Sequence, residues 1–78
     1  MIEIGDWVQT AVEVHELGLG GEPIGLISKK NGVGHVMAEG RWGDDLFYTV
    51  TFERTGMTSD CAPEDLIRLC DYRGVVDT

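Results

Sequence analysis

Residues 46–69 read LFYTVTFERTGMTSDCAPEDLIRL. Leu46, Tyr48, Val50 and Phe52 alternate with Phe47, Thr49, Thr51 and Glu53, the period of two of a half-buried strand. The polar stretch after Glu53 reads as a loop. Pro63-Glu64-Asp65 then reads as a single helical turn, and Ile67-Arg68-Leu69 as a short closing strand.

Upstream, Gly5-Asp6 is a turn that opens a first strand, with Val8, Thr10, Val12 and Val14 on one face and Trp7, Gln9, Ala11 and Glu13 on the other. His15 to Pro23 contains Gly18, Gly20, Gly21 and Pro23, too many helix breakers for a helix, and reads as a long loop. Ile24 to Lys30 is a second strand with Ile24, Leu26 and Ser28 inward. Asn31-Gly32 is the dipeptide that tight hairpins favour, because both residues tolerate positive φ. A third strand runs from Val33 to about Glu39, where Gly34 signals a bulge or a close backbone approach. Gly40 to Asp45 reads as a second loop.

Five short strands, punctuated by turn signals and without a helical period, predict an all-β domain. Its ending, a strand, a loop, one turn and a short closing strand, is that of a small SH3-like barrel. The expected architecture is a five-stranded SH3-like barrel over residues 1–70, with one short 3-10 turn before the last strand and a C-terminal tail over 71–78. The strand phases place Val8, Val12, Leu26, Val36, Val50, Phe52, Leu66 and Leu69 in the core.

Seventy-eight residues make one domain with a thin core. The net charge is −8 and the pI about 4.4. Residues 1–28 contain Glu3, Asp6, Glu13, Glu16 and Glu22 and neither lysine nor arginine. Phosphate backbones and anionic membranes call for clustered cations, and the six here are scattered along the chain, which argues against both. A basic protein surface would instead be steered toward this chain. No run approaches the ~18 apolar residues of a membrane span. The opening Met1-Ile2-Glu3-Ile4 lacks the basic head of a secretory signal, so the expected compartment is the cytoplasm, with Cys61 and Cys70 as reduced thiols.

The chemistry-bearing residues form no familiar constellation. His15, His35, Cys61 and Cys70 match no zinc spacing, and each is explained by ordinary packing or surface placement. Cys61 precedes a helical turn, which would acidify a thiol, yet Asp60, Glu64 and Asp65 around it oppose that. Asp44-Asp45 and Glu64-Asp65 do not offer the contrasting environments that acid–base pairs need. The glycines at 18, 20 and 21 have no following helix or lysine to make a phosphate cradle. No catalytic, cofactor or metal residue is assigned. Trp42, between Arg41 and Gly43 in a polar stretch, is the best candidate, because large aromatics beside arginine are typical interface anchors, and the alternative is that it folds back to cap an open end of the barrel. With Glu13, Glu16 and Glu22 it makes up the expected partner-binding set.

Several of these stretches together resemble the NifZ family of nitrogen-fixation accessory proteins. They are Gly5-Asp6-x-Val8, the segment Gly25 to Val36 with its glycines and Lys29-Lys30, the strand Tyr48-x-Val50-x-Phe52, and Cys61-x-x-Glu64-Asp65-Leu66. The resemblance spans residues 4 to 69. It implies assistance in maturing the iron–sulfur clusters of the nitrogenase molybdenum–iron protein, through protein–protein contact. More loosely, the chain is similar to the photosystem I subunit that docks ferredoxin and to the variable chain of ferredoxin–thioredoxin reductase. It lacks the Val-Gln-x-Tyr strand of the plasmid-encoded dihydrofolate reductase barrel.

The expected function is therefore that of a non-enzymatic accessory protein docking on a metalloprotein. The alternatives are an oligomeric small-barrel enzyme or ligand-binding protein from a mobile element, a scaffold carrying metal through Cys61, and an acidic inhibitor of a basic protein surface.

Overall fold

A computed structural model describes residues 2–69; the expected tail over 71–78 and Cys70 lie outside the described residues. The fold is all-β, as the alternation requires. Its elements are β1 (Trp7–Thr10), β2 (Val14–Leu17), β3 (Pro23–Ser28), β4 (Val33–Trp42), β5 (Asp45–Phe52), β6 (Thr58–Cys61), a 3-10 turn (Pro63–Asp65) and β7 (Leu66–Arg68). They form a five-stranded antiparallel sheet in the order β6-β5-β4-β1-β7 and a separate two-stranded ribbon, β2-β3. Both sheets are open: among the described residues no strand pairing joins one to the other.

β5 carries the alternation into three dimensions. Tyr48, Val50 and Phe52 are buried, and Thr49 and Thr51 lie on the other face. They join Val8, Val36, Ile27, Cys61 and Leu66 in one core. Tyr48 keeps its polar end satisfied by donating its hydroxyl to Ile2 O at 2.9 Å. Thr10 is fully buried, and its hydroxyl donates to Val12 O at 2.9 Å. The next amide, Ala11 N–H, reaches Asp65 O at 2.8 Å, which ties the end of β1 to the 3-10 turn.

Five departures from the sequence reading matter. Among the described residues there are seven strands in place of five. The single first strand breaks after Thr10, so Val12 stands exposed at the bend and Val14 starts the ribbon. The glycine-rich stretch 15–23 is a hairpin, not a long loop: Gly18 N–H donates to Glu22 O at 2.8 Å and Gly21 N–H to Gly18 O at 3.0 Å, with Gly21 at φ +85°. In the expected loop after Glu53, residues 58–61 pair with β5 as β6.

The fourth departure is the strand phase at 24–28. Ile27 and Ser28 are buried and Leu26 is exposed, because irregular pairing with β2 shifts the face presented to the core. Of the eight expected core residues, Val8, Val36, Val50, Phe52 and Leu66 are buried, Leu69 is half-buried, and Val12 and Leu26 are exposed.

The fifth concerns Asn31-Gly32. The turn is there, with Gly32 N–H donating to Lys29 O at 3.0 Å and Asn31 at φ +72°. The strands it joins do not pair. β4 goes instead to β1, and Asn31 N–H donates to Thr10 O at 2.7 Å while Thr10 N–H donates to Gly32 O at 2.9 Å. The turn is thus a crossing from the ribbon to the sheet.

Gly34 fulfils its expected role as a close approach. It faces β5, where a Cβ would strike Val50 Cγ1 and lie 3.0 Å from Thr51 O. The bulge lies further on, where Met37 interrupts the register between Val36 and Ala38.

Candidate docking groove

Trp42 does not lie in a loop. β4 continues through Gly40 to Trp42, which pairs with Asp45 across a two-residue turn, Gly43-Asp44. Gly43 has φ +62°, the requirement of a turn whose first central residue is left-handed. Gly40 looks like a strand breaker in sequence. In the hairpin it leaves room for Phe47, directly opposite, whose ring lies where a Gly40 side chain would be: a Cβ there would meet Phe47 Cζ at 2.5 Å. The indole of Trp42 leans on the same ring, centroids 6.5 Å apart and planes tilted by 33°. Trp42 remains 75% exposed. It is therefore a large apolar surface held at a hairpin end against Phe47, and not a lid folded over the core.

Two concavities meet beside it. One is bounded by Trp42, Phe47 and the carboxylates of Asp44, Asp45, Asp60 and Glu64. The other is bounded by Glu13, Glu16, Asp60 and Asp65. Both are lined by Asp60-Cys61-Ala62, so the two lie side by side along β6 and together are called the β6 groove. Thr49 Oγ1 donates to Asp60 Oδ1 at 2.8 Å and fixes that carboxylate on the wall. Among the described residues neither lysine nor arginine lines the groove, and His15, 3.7 Å from Glu13, is its one basic side chain.

Of the residues singled out in the sequence, Glu13, Glu16 and Trp42 border this groove and Glu22 does not. Glu22 folds back over its own hairpin turn, with Oε1 2.6 Å from where a Gly20 Cβ would be. The sequence reading left Phe47, Asp60 and Asp65 out of the partner-binding set. Their membership depends on pairing between distant strands, and local pattern carries no signal of it.

Cys61 sits in the shared wall and is 7% exposed, with its thiol 3.9 Å from Ser59 O. Burial, reinforced by the charges of Asp60 and Asp65, lifts its pKa from an ordinary 9.0 to about 11. The thiol is protonated at neutral pH, a poor nucleophile and a poor metal ligand in that state. Among the described residues no group of three histidine, cysteine, aspartate or glutamate side chains is placed to hold a metal ion. His35 is engaged elsewhere: its ring stacks on Trp7 with centroids 4.5 Å apart, and its Nε2 lies 2.9 Å from Gly5 O. Among the described residues no helix is long and apolar enough to cross a membrane.

Comparison with protein-family models, with curated proteins and with solved structures finds no match for this chain.

Proposed function

We propose that this chain is a docking accessory that receives a basic face of a protein partner in the β6 groove. The observation that carries the reading is Trp42, three-quarters exposed at a hairpin end beside carboxylates that no lysine or arginine among the described residues offsets within the groove. Seven carboxylates border the groove, Asp60 being common to its two halves. They would raise the rate of encounter with a cationic surface, and the indole would lengthen the life of the complex.

The resemblance to the NifZ family supplies the class of partner: a metalloprotein, the molybdenum–iron protein of nitrogenase, assisted in maturing its iron–sulfur clusters in the cytoplasm. On this reading the open sheet and the ribbon are the two halves of an SH3-like barrel, and the chain holds its partner without catalysing a reaction or carrying a cofactor. Glu22 contributes only to the long-range field.

The test is affinity capture from a nitrogen-fixing cell extract, followed by binding kinetics at two salt concentrations. Trp42→Ala should accelerate dissociation, weakening the complex by about 2 kcal/mol, roughly thirtyfold, with the fold intact. Glu13→Lys with Glu16→Lys should flatten the salt dependence of association. Unchanged binding by Trp42→Ala removes this groove as the docking face.

A further inference from the structure

The cations are segregated as sharply as the carboxylates. Five lysines and arginines lie among the described residues: Lys29, Lys30, Arg41, Arg54 and Arg68. Three of them, Lys29, Lys30 and Arg54, line one cleft of about 540 Å³. Its walls are the end of β3 with the turn that follows, and the turn after β5. Ile27 and Phe52, both part of the core, are exposed to it only at their edges, and Leu26 and Val33 extend the apolar lining. Thr55 Oγ1 donates to Ile27 O at 3.0 Å across 28 residues of sequence and holds the walls at a fixed separation. The same oxygen accepts from Met57 N–H at 3.2 Å.

We propose that this cleft binds a small amphipathic anion, with a carboxylate or phosphate head on Lys29, Lys30 and Arg54 and an apolar body against Leu26, Ile27 and Phe52. The size falls within the ~300 to 1,000 Å³ of small-molecule sites, and apolar walls with a few converging polar groups are their usual chemistry. The charge arrangement identifies the sign of the ligand. In a chain of net charge −8, scattered cations would be neutralised by the surplus of carboxylates. Arg68 is neutralised in this way, 3.0 Å from Asp6. Among the described residues Lys29, Lys30 and Arg54 have no ion-pair partner, nor has Arg41, and what sets the three apart is that they gather on one cleft. Glu53, the one carboxylate on the cleft among the described residues, is already engaged. The negative field of the whole chain disfavours an anionic bilayer, which would meet the acidic faces as well as the cleft. A free monomeric ligand enters without meeting them. This site shares only Ile27 with the lining of the β6 groove and does not depend on that groove's role.

The experiment is titration of the ¹⁵N-labelled chain with decanoate and with decyl phosphate, both below micelle-forming concentration, followed by amide shifts. Decyltrimethylammonium, inorganic phosphate and phosphatidylserine vesicles are the comparison probes. Decanoate or decyl phosphate should give saturable shifts confined to residues 26–33 and 52–55, and the tighter of the two identifies the preferred head. Decyltrimethylammonium and inorganic phosphate should each bind at least tenfold more weakly. The variant Lys29→Gln, Lys30→Gln, Arg54→Gln should lose at least tenfold in affinity for the anion while melting as the parent does. The proposal fails if the cationic probe binds as well as the anionic ones. It fails equally if the shifts fall elsewhere, if the well-folded triple variant binds undiminished, or if only vesicles bind. The comparison of head groups uses the unmodified chain, so a variant that did not fold would leave it decisive.

Discussion

Gly34→Ala isolates one close contact on which the central sheet depends. Gly34 is buried in β4 with an ordinary strand φ, opposite Phe52 on β5. Alanine adopts that backbone easily, and by intrinsic preference the change would stabilise a strand interior by ~0.5 to 1 kcal/mol. The surroundings reverse the sign. The new methyl would strike Val50 Cγ1 and would lie 3.0 Å from Thr51 O and 3.2 Å from Phe52 Cδ1. Thr51 O belongs to the paired backbone, and Val50 and Phe52 are 0% and 1% exposed, so none of the three can rotate clear. Overpacking of this kind costs ~1 to 3 kcal/mol. The net loss is about 1 to 2 kcal/mol, out of the ~4 to 12 expected for a chain of this length. That corresponds to a fall in melting temperature of roughly 5 to 15 °C. Urea and thermal unfolding followed by circular dichroism would measure it. Gly25→Ala is the control: a Cβ there meets only Glu16 Oε1 at 3.9 Å, so it should be neutral or slightly stabilising. In the double variant with Val50→Ala, part of the Gly34→Ala cost should disappear, because the methyl it strikes has been removed. A Gly34→Ala protein as stable as the parent, or a Gly25→Ala protein equally damaged, would refute the argument.

Three further outcomes are expected. Gly32→Ala should destabilise by about 1 kcal/mol in urea titration, through collision with Ser28 Oγ and approach to 3.0 Å from Lys29 O, and a companion Ser28→Ala should recover much of it. Tyr48→Phe removes the hydroxyl that donates to Ile2 O, so stability should drop by ~0.5 to 1.5 kcal/mol and exchange of the Gly5 amide, which donates to Val36 O, should quicken. Cys61 is an acid whose pKa is raised by folding, so its stabilisation is complete below pH 9, its ordinary value, and is lost as pH rises toward 11. After allowance for solvent screening of Asp60 the loss is ~1 to 2 kcal/mol, and the stability–pH curve of Cys61→Ala should lack that decline.

The groove and the cleft were legible to different degrees. Trp42 stands out because a tryptophan among glycine and charge has no local reason to be buried, and it is exposed. Glu13 and Glu16 stand out because the chain has no lysine or arginine before Lys29. Phe47 and Asp60 join the groove only because β5 pairs with both β4 and β6, and Asp65 because the 3-10 turn is tied to β1 through Ala11 N–H and Asp65 O. Lys29-Lys30 and Arg54 look like scattered charges in sequence; the Thr55–Ile27 hydrogen bond makes them the rim of one cleft.

By itself the sequence determined what depends on neighbours along the chain. The alternation over 46–52 set the buried face of β5, the Pro63-Glu64-Asp65 turn was readable from its composition, and Asn31 turned the chain through positive φ wherever its flanks were to go. The tertiary structure decided which strands pair. Asn31-Gly32 ends in a crossing because β4 pairs with β1 and not with the strand that precedes the turn, and Gly40 stays in a strand because Phe47 covers it. Ile27, not Leu26, faces the core because a register shift against β2 turns the strand over. The period of two is local, and a one-residue slip in pairing reverses every face, so the choice of face belongs to contacts between segments far apart in the chain.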